Sequence, residues 1–301
     1  MSYKKGILLV FLTAVISGFS IFINKFGVKG INPYVFTFSK NIVVALLLFS
    51  IILAFKEIKA LKKLKKSQWL NLALVGLIGG SIPFLLFFKG ISIISSANAA
   101  FIHKLMFLFV AVLAVAFLKE RLNKKFLIAA ALLLAGNFLL LKFTWTGIGV
   151  GEVLVLIATL FWAGENVLSK HLLQTISPRI VAFGRMFFGS LFIFLFLFAS
   201  GNIAPLASMG AGHWIWVLVT SVLLFGYVIT WYTGLKYVDV SVAASVLLVG
   251  SVITALLNLI FLHNMVALVH AIGLAAIASG AIIAVYSKKN YAISTATPRC
   301  T

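Results

Sequence analysis

Cysteine, acidic residues and proline are all scarce in this chain of 301 residues. The one cysteine, Cys300, lies in a polar C-terminal stretch, so neither a disulfide framework nor a thiol-bound metal site is expected. The five histidines do not cluster at metal-ligand spacing, and no glycine-rich loop ends in Lys-Ser or Lys-Thr. We therefore expect no enzyme activity, no ATP hydrolysis, no metal and no cofactor.

Apolar residues are correspondingly abundant. Hydrophobic residues make up 63% of the chain, 28 residues are phenylalanine, and the mean hydropathy is +1.18. A water-soluble domain does not need this much apolar surface. The formal net charge is +20, but the cations cluster in short gaps between long apolar runs. That distribution is typical of a membrane protein and argues against nucleic-acid binding.

Ten apolar runs are long enough to cross a bilayer, which takes about 20 residues per helix. The sequence therefore predicts an all-α integral membrane protein with ten transmembrane helices. The expected spans are 6–26, 33–55, 69–88, 93–117, 125–143, 150–171, 179–199, 213–233, 240–262 and 266–286.

Lysine and arginine indicate the orientation of these spans. Most cations between spans, including the run Lys56–Lys66, fall on the side that carries the N-terminus. Because cytoplasmic loops are enriched in cations, both termini are predicted to be cytoplasmic, in the cell's inner (plasma) membrane. Residues 288–301 are polar and are predicted to form a disordered tail.

The chain also repeats itself. Leu12–Lys40 recurs at Ile157–Arg185 with an offset of 145. This offset aligns Pro33 with Pro178 and Lys40 with Arg185. We interpret this as a duplication with repeats at 1–145 and 146–287. Each repeat contains five spans, an odd number, so the second must be inverted relative to the first. Inverted repeats are the architecture of many secondary transporters.

Several short motifs resemble those of the drug/metabolite transporter superfamily, within it the EamA-type permeases with ten spans. The resemblance extends over nearly the whole chain and implies transport of a small molecule, with export the commoner direction. Two positions depart from the family pattern, because Lys40 replaces the usual arginine and Asn264 an acid. The matching residues are Asn24-Lys25, Pro33, Phe117–Leu122 with its Glu120-Arg121 pair, Gly136, Gly151-Glu152, Trp162-Ala163, Lys170, Pro178 and Arg185.

Polar side chains within spans are costly and are functional candidates by default. Lys104 lies near the middle of the fourth span, beside His103, and has no counterpart in the second repeat. It could bind a substrate carboxylate or phosphate. Alternatively, it could form a structural salt bridge with Glu165 or Glu152.

Two further cations and one acid lie within spans. Lys40 and Arg185 each follow a proline by seven residues, which is about 10 Å of helix, and this placement favours a helix tie or a gate over a substrate site. Glu165 is the only acid well inside a span. It is a candidate for proton coupling, or else the partner of Lys104.

Smaller polar residues complete the predicted site. Ser17, Ser20 and Asn24 share one face of the first helix. Their counterparts in the second repeat are Trp162, Glu165 and Ser169. Trp231 and Tyr232 are interpreted either as anchors at the membrane interface or as aromatic walls of the cavity, with anchors favoured. The predicted substrate-binding set is Lys104, His103, Asn98, Asn24, Ser20, Trp162 and Glu165, and the predicted gating or proton-coupling set is Glu165, Lys40 and Arg185.

These patterns predict a secondary active transporter that exports a small metabolite, such as an amino acid, by alternating access. A nucleotide sugar or another phosphate-bearing metabolite is the alternative substrate. From a different class, a membrane-integral scaffold without transport activity is the competing interpretation. The expected partners are the small-molecule substrate, the lipid bilayer and a proton as coupling ion, and the sequence leaves open a monomer or a homodimer.

Overall fold

The computed structural model describes residues 2–27, 30–140, 147–262 and 267–294, and all regular structure in these ranges is helical. The first repeat contains α1 (Tyr3–Gly27), α2 (Pro33–Ala54), α3 (Ile58–Lys62), α4 (Lys66–Gly80), α5 (Ile82–Ile91), α6 (Ser96–Lys104), α7 (Met106–Leu118) and α8 (Lys124–Leu140). The second contains α9 (Val150–Leu172), α10 (Pro178–Ala199), α11 (Ala204–Ala207), α12 (Ala211–Tyr237), α13 (Val240–Leu247), α14 (Val249–Leu262) and α15 (Leu268–Ser294).

Nine spans in the described ranges are long and apolar enough to cross a membrane. Three of them are pairs of helices, α4 with α5, α6 with α7, and α13 with α14. Helix α8 has 17 described residues and borders residues 141–146, which lie outside the described ranges. The prediction of an all-α integral membrane protein with about ten spans is confirmed.

The predicted C-terminal tail begins too early. Helix α15 continues to Ser294, eight residues beyond the predicted end of the tenth span at 286. No proline or glycine interrupts residues 281–294, so the sequence offers nothing to stop the helix there. Residues 295–301 lie outside the described ranges, as do Asn264 and the junction at 145 between the predicted repeats.

The two prolines of the repeat start equivalent helices. Pro33 and Pro178 each stand in the first turn of α2 and α10, where a missing N–H costs no hydrogen bond. The preceding residue caps the helix in both cases. Asn32 accepts from the backbone N–H of Tyr34 at 2.9 Å, and Ser177 accepts from that of Ile180 at 3.4 Å.

Helices of one repeat pack mainly against helices of the other. Helix α1 lies on α12 and α14, α10 lies on α2 and α4, α9 on α5 and α7, and α8 on α15. Glycine permits close approach of these helices, since a Cβ on Gly136 would lie 2.6 Å from the carbonyl oxygen of Gly273. This interleaving places the surfaces between the repeats at the centre of the molecule.

Candidate substrate cavity

A cavity of about 1020 Å³ lies between the two repeats and is lined by side chains from both. Most of the predicted site residues line it, among them Ser20, Asn24, Lys40 and His103, together with Lys104, Trp162, Glu165 and Arg185. Aromatic rings make up much of the remaining wall. They belong to Phe36, Phe84, Phe87, Phe88, Tyr227 and Trp231.

A break in the third span positions several of these side chains. Pro83 has no N–H to donate to the carbonyl of Gly79 four residues earlier, so the span divides at Ser81 and that carbonyl is left without its helical partner. Two side chains of the second repeat occupy it. Trp162 donates to it through Nε1 at 3.0 Å, and Arg185 through Nη2 at 3.2 Å. The break therefore fixes a tryptophan and an arginine at the cavity wall.

The adjacent carbonyl, that of Gly80, also accepts a hydrogen bond from a side chain. Asn41 donates to it through Nδ2 at 3.3 Å and also lines the cavity. Sequence reasoning overlooked Asn41, although an amide eight residues into an apolar span was a signal that could have found it. It follows Lys40 directly, so one turn of α2 supplies both a cation and an amide to the site.

Glu165 lines the cavity and is only 2% exposed. Its Oε1 accepts hydrogen bonds from Ser169 Oγ and Tyr232 Oη, both at 2.6 Å. Its Oε2 lies 3.9 Å from Arg185 Nε, which is buried and has no hydrogen-bond partner. The carboxylate is thus paired with Arg185, and the alternative pairing with Lys104 is not formed in the structure.

Two ammonium groups of the cavity face no carboxylate. Lys104 forms neither a hydrogen bond nor an ion pair with any residue that the structure describes. Lys40 donates to Asn24 Oδ1 at 3.2 Å and lies 5.0 Å from the centre of the Phe36 ring, and both of these partners are neutral. Glu152 accepts from the N–H of Gly149 at the start of its own helix, and it forms no ion pair with either lysine among the residues that the structure describes.

Aromatic packing holds the wall around Trp162. Its ring makes edge contacts with Phe84, Phe87 and His103, at centroid distances of 5.2, 5.5 and 4.9 Å. Such edge-to-face contacts stabilise a ring pair by about 0.5–1.5 kcal/mol beyond burial. His103 therefore has a packing partner within the wall that it lines.

Two sequence interpretations need correction. Asn98 is 3% exposed and lines a separate cleft with Ser95 and Glu152, outside the cavity. Asn98 precedes Lys104 by six residues, so the two side chains point about 120° apart around the helix. Trp231 and Tyr232 are 2% and 0% exposed, so they are not interface anchors. They face inward, where the tyrosine binds Glu165, a role that its position in an apolar run did not indicate.

Glu165 and Arg185, which both line the cavity, lie seven residues from the end of α9 and from the start of α10, the ends on the N-terminal side. On that side the repeats are tied together. Glu120 of the first repeat accepts from the backbone N–H of Val240 at 2.8 Å and also binds the N–H and hydroxyl of Ser241 in the second.

A helical membrane protein that encloses a polar and aromatic cavity between two packed repeats has the architecture of a small-molecule transporter. The family comparison agrees, because the model of the EamA-like transporter family matches residues 4–142 and again residues 149–286. The chain belongs to this family and is a multi-pass membrane transporter for a small molecule.

Individual relatives are also named as transporters. The chain is 26% identical over 259 residues to "Riboflavin transporter ImpX" of Fusobacterium nucleatum, covering 80% of this chain and 84% of the relative. It is 28% identical over 260 residues to an "Uncharacterized transporter" of Archaeoglobus fulgidus, covering 83% and 86%. A solved crystal structure with 18% identity superposes with a TM-score of 0.78 over 98% of this chain and 99% of the other, which shows the fold alone.

Proposed function

We propose that this protein is a secondary active transporter of the inner (plasma) membrane that exports a small amphipathic metabolite bearing an anionic group. The observation that carries this proposal is the pair of cavity ammonium groups, Lys40 and Lys104, that face no carboxylate. A buried charge without a counter-ion is costly, so an anionic ligand would be stabilised there. This chemistry argues against a scaffold, which needs no uncompensated charge in a cavity.

The aromatic wall narrows the substrate further. Rings of Trp162, Phe84 and Phe87 line one side, and Tyr227 lies nearly parallel to Trp231 with an 18° interplanar angle on another part of the wall. A cavity of about 1020 Å³ is large for a small aliphatic amino acid, since ligand pockets generally have about 300–1,000 Å³. We therefore favour an aromatic amino acid or a comparable aromatic anion over a small aliphatic one. A phosphate-bearing metabolite such as a nucleotide sugar has the same charge and is the first alternative.

Riboflavin is a second candidate because the relative from Fusobacterium nucleatum is named as its transporter. The aromatic wall suits a flat ring system, and the amides of Asn24, Asn41 and Asn258 could bind a hydroxylated chain. Riboflavin carries neither a carboxylate nor a phosphate. Loss of the Lys104 ammonium should therefore affect riboflavin much less than an anionic substrate.

Alternating access is the mechanism that we propose, with both termini cytoplasmic and the two repeats inverted. With that orientation, the tie between Glu120 and Ser241 lies at the cytoplasmic end. A proton is the proposed coupling ion and Glu165 its carrier, because protonation would weaken the attraction to Arg185 at the cavity.

A thermal-shift screen of the detergent-purified protein tests the substrate class. Aromatic amino acids, nucleotide sugars and riboflavin would be tried on the wild type and on Lys104→Ala, with Lys89→Ala as the matched control because Lys89 is exposed and outside the cavity. A ligand at 100 times its Kd stabilises by about 2.7 kcal/mol. We expect an anionic ligand to stabilise the wild type and the control more than Lys104→Ala.

Flux into proteoliposomes then tests transport itself. The ligands found in the screen would be supplied with and without a pH gradient. Movement that responds to the gradient, and loses this response in Glu165→Gln, is the expected result. If no ligand stabilises the protein and no solute moves, the transporter assignment to this substrate class is refuted and the scaffold becomes the better interpretation.

A further inference from the structure

The two repeats place equivalent polar clusters at the cavity, but only one of them contains a carboxylate. In the second repeat, Ser169 donates to Glu165 four residues earlier, and Glu165 lies 3.9 Å from Arg185. The offset of 145 maps these three residues onto Asn24, Ser20 and Lys40 of the first repeat. In the first repeat, Ser20 therefore occupies the position of the Glu165 carboxylate.

The first cluster is built from neutral groups around its cation. As Ser169 does in the second repeat, Asn24 donates to the residue four positions earlier, but Lys40 donates to Asn24 and not to Ser20. Asn24 donates through Nδ2 to the hydroxyl of Ser20 at 3.0 Å and to its backbone carbonyl at 2.7 Å. Lys40 donates to Asn24 Oδ1 at 3.2 Å. A serine hydroxyl thus stands where the second repeat has a carboxylate, so no carboxylate lies beside the ammonium group of Lys40 among the residues that the structure describes. All three residues line the cavity, and Glu165 and Arg185 also line it.

Local structure supports the equivalence of the two clusters. Helices α2 and α10, which carry the cations, both begin with proline in the first turn after a capping side chain. Helices α1 and α9, which carry the serine and the glutamate, each pack against helices of the other repeat. The difference between the clusters is therefore one of side-chain chemistry at a shared position.

Resting on the proposed function, we propose that the carboxylate or phosphate of the substrate binds at Lys40, in the place that the Glu165 carboxylate takes beside Arg185. The substrate then supplies the counter-ion that the first repeat lacks. Lys40 binds the anionic group directly, and Ser20 and Asn24 donate or accept hydrogen bonds around it. Lys40 is accordingly a substrate-binding residue, whereas its sequence pattern favoured a structural tie or a gate.

The decisive variant is Ser20→Glu, which installs in the first repeat the carboxylate of the second. If the proposal is correct, this carboxylate pairs with Lys40 and raises the Tm of the ligand-free protein by about 2 °C or more. The increase should vanish in the double variant Ser20→Glu/Lys40→Gln. Ser20→Gln, which has the same size without the charge, is the control and should not show the increase.

Binding is measured with indole-3-acetate, an aromatic carboxylate, and with indole-3-acetamide, its neutral analogue. We expect Ser20→Glu and Lys40→Gln to weaken indole-3-acetate binding about tenfold or more, because the anion loses its cation. Ser20→Gln should weaken it far less, and the acetamide should not distinguish the variants. Equal binding of indole-3-acetate to the wild type and to Lys40→Gln would overturn the proposal.

The Tm measurement and the binding measurement separate this inference from the proposed function. The Tm measurement needs no ligand, so it refutes the placement of the anion at Lys40 if Ser20→Glu is no more stable than Ser20→Gln. Should Ser20→Glu fail to fold, Lys40→Gln with indole-3-acetate decides the question. If the wild type binds neither indole compound nor any ligand of the screen, the proposed function is refuted, independently of the Tm values of the variants.

Discussion

The hydroxyl of Tyr232 is expected to stabilise the fold through a single hydrogen bond to Glu165. Tyr232 is fully buried, and its Oη donates to the carboxylate at 2.6 Å. The variant Tyr232→Phe removes one oxygen and keeps the ring, so packing is almost unchanged. Glu165 then retains the bond from Ser169 and the proximity of Arg185, but it has lost one of its two hydroxyl donors.

The expected loss of stability in Tyr232→Phe follows from the charge of the acceptor, the Glu165 carboxylate. A hydrogen bond to an ionised group contributes about 1.5–3 kcal/mol, and a buried carboxylate that loses a donor cannot turn to water. Taking about 2–3 °C of Tm per kcal/mol for a chain of this size, Tyr232→Phe should melt roughly 3–9 °C below the wild type.

Thermal unfolding in detergent would measure this difference. Tyr34→Phe is the matched control, because the Tyr34 ring contacts Phe88 and Phe196 while its hydroxyl has no hydrogen-bond partner among the residues that the structure describes. A Tm for Tyr232→Phe equal to that of Tyr34→Phe would refute the reasoning. It would mean that the Glu165 carboxylate does not depend on Tyr232 for solvation.

Two further comparisons test the packing around Glu165 at the cavity and the hydrogen bonds of Glu120 between the repeats. Gly79→Ala should destabilise the protein, since its Cβ would lie 2.3 Å from Glu165 Cγ, whereas Gly164→Ala has no heavy atom within 4 Å and should be tolerated in the same melting assay. Glu120→Ala removes three hydrogen bonds to α13 in the other repeat and should cost about 2 kcal/mol or more, measured by denaturation. Glu152→Ala removes a cap within one exposed helix end and should cost about 1 kcal/mol or less, so equal losses would contradict the role assigned to the cross-repeat tie.

Much of this architecture was accessible from the sequence because a bilayer leaves few alternatives for an apolar chain. Long apolar runs predicted the spans, and the rarity of charge within them identified Lys104, Glu165 and Arg185. Pro33 and Pro178 stood out for the same reason, since prolines are few and both are compatible with a first helical turn.

The partners within the site could not be predicted in the same way. Glu165 binds Tyr232, 67 residues along the chain, and that pairing depends on how α9 packs near α12. The breaks at Leu105 and Leu248 also have no signal at the broken residue, which is leucine in both cases. Only the break at Ser81 has a local cause in Pro83, two residues later. Tertiary packing therefore decided what local composition left open.

The site is formed where the duplicated repeats differ. Pro83 belongs to the first repeat alone, since the matching eighth span, α12, runs unbroken from Ala211 to Tyr237. The carboxylate of Glu165 belongs to the second repeat alone. These two unshared features meet around the freed carbonyl of Gly79, which Trp162 and Arg185 bind beside the glutamate. The two repeats therefore line one cavity with different chemistry, because Arg185 faces the Glu165 carboxylate while Lys40 donates to the neutral amide of Asn24.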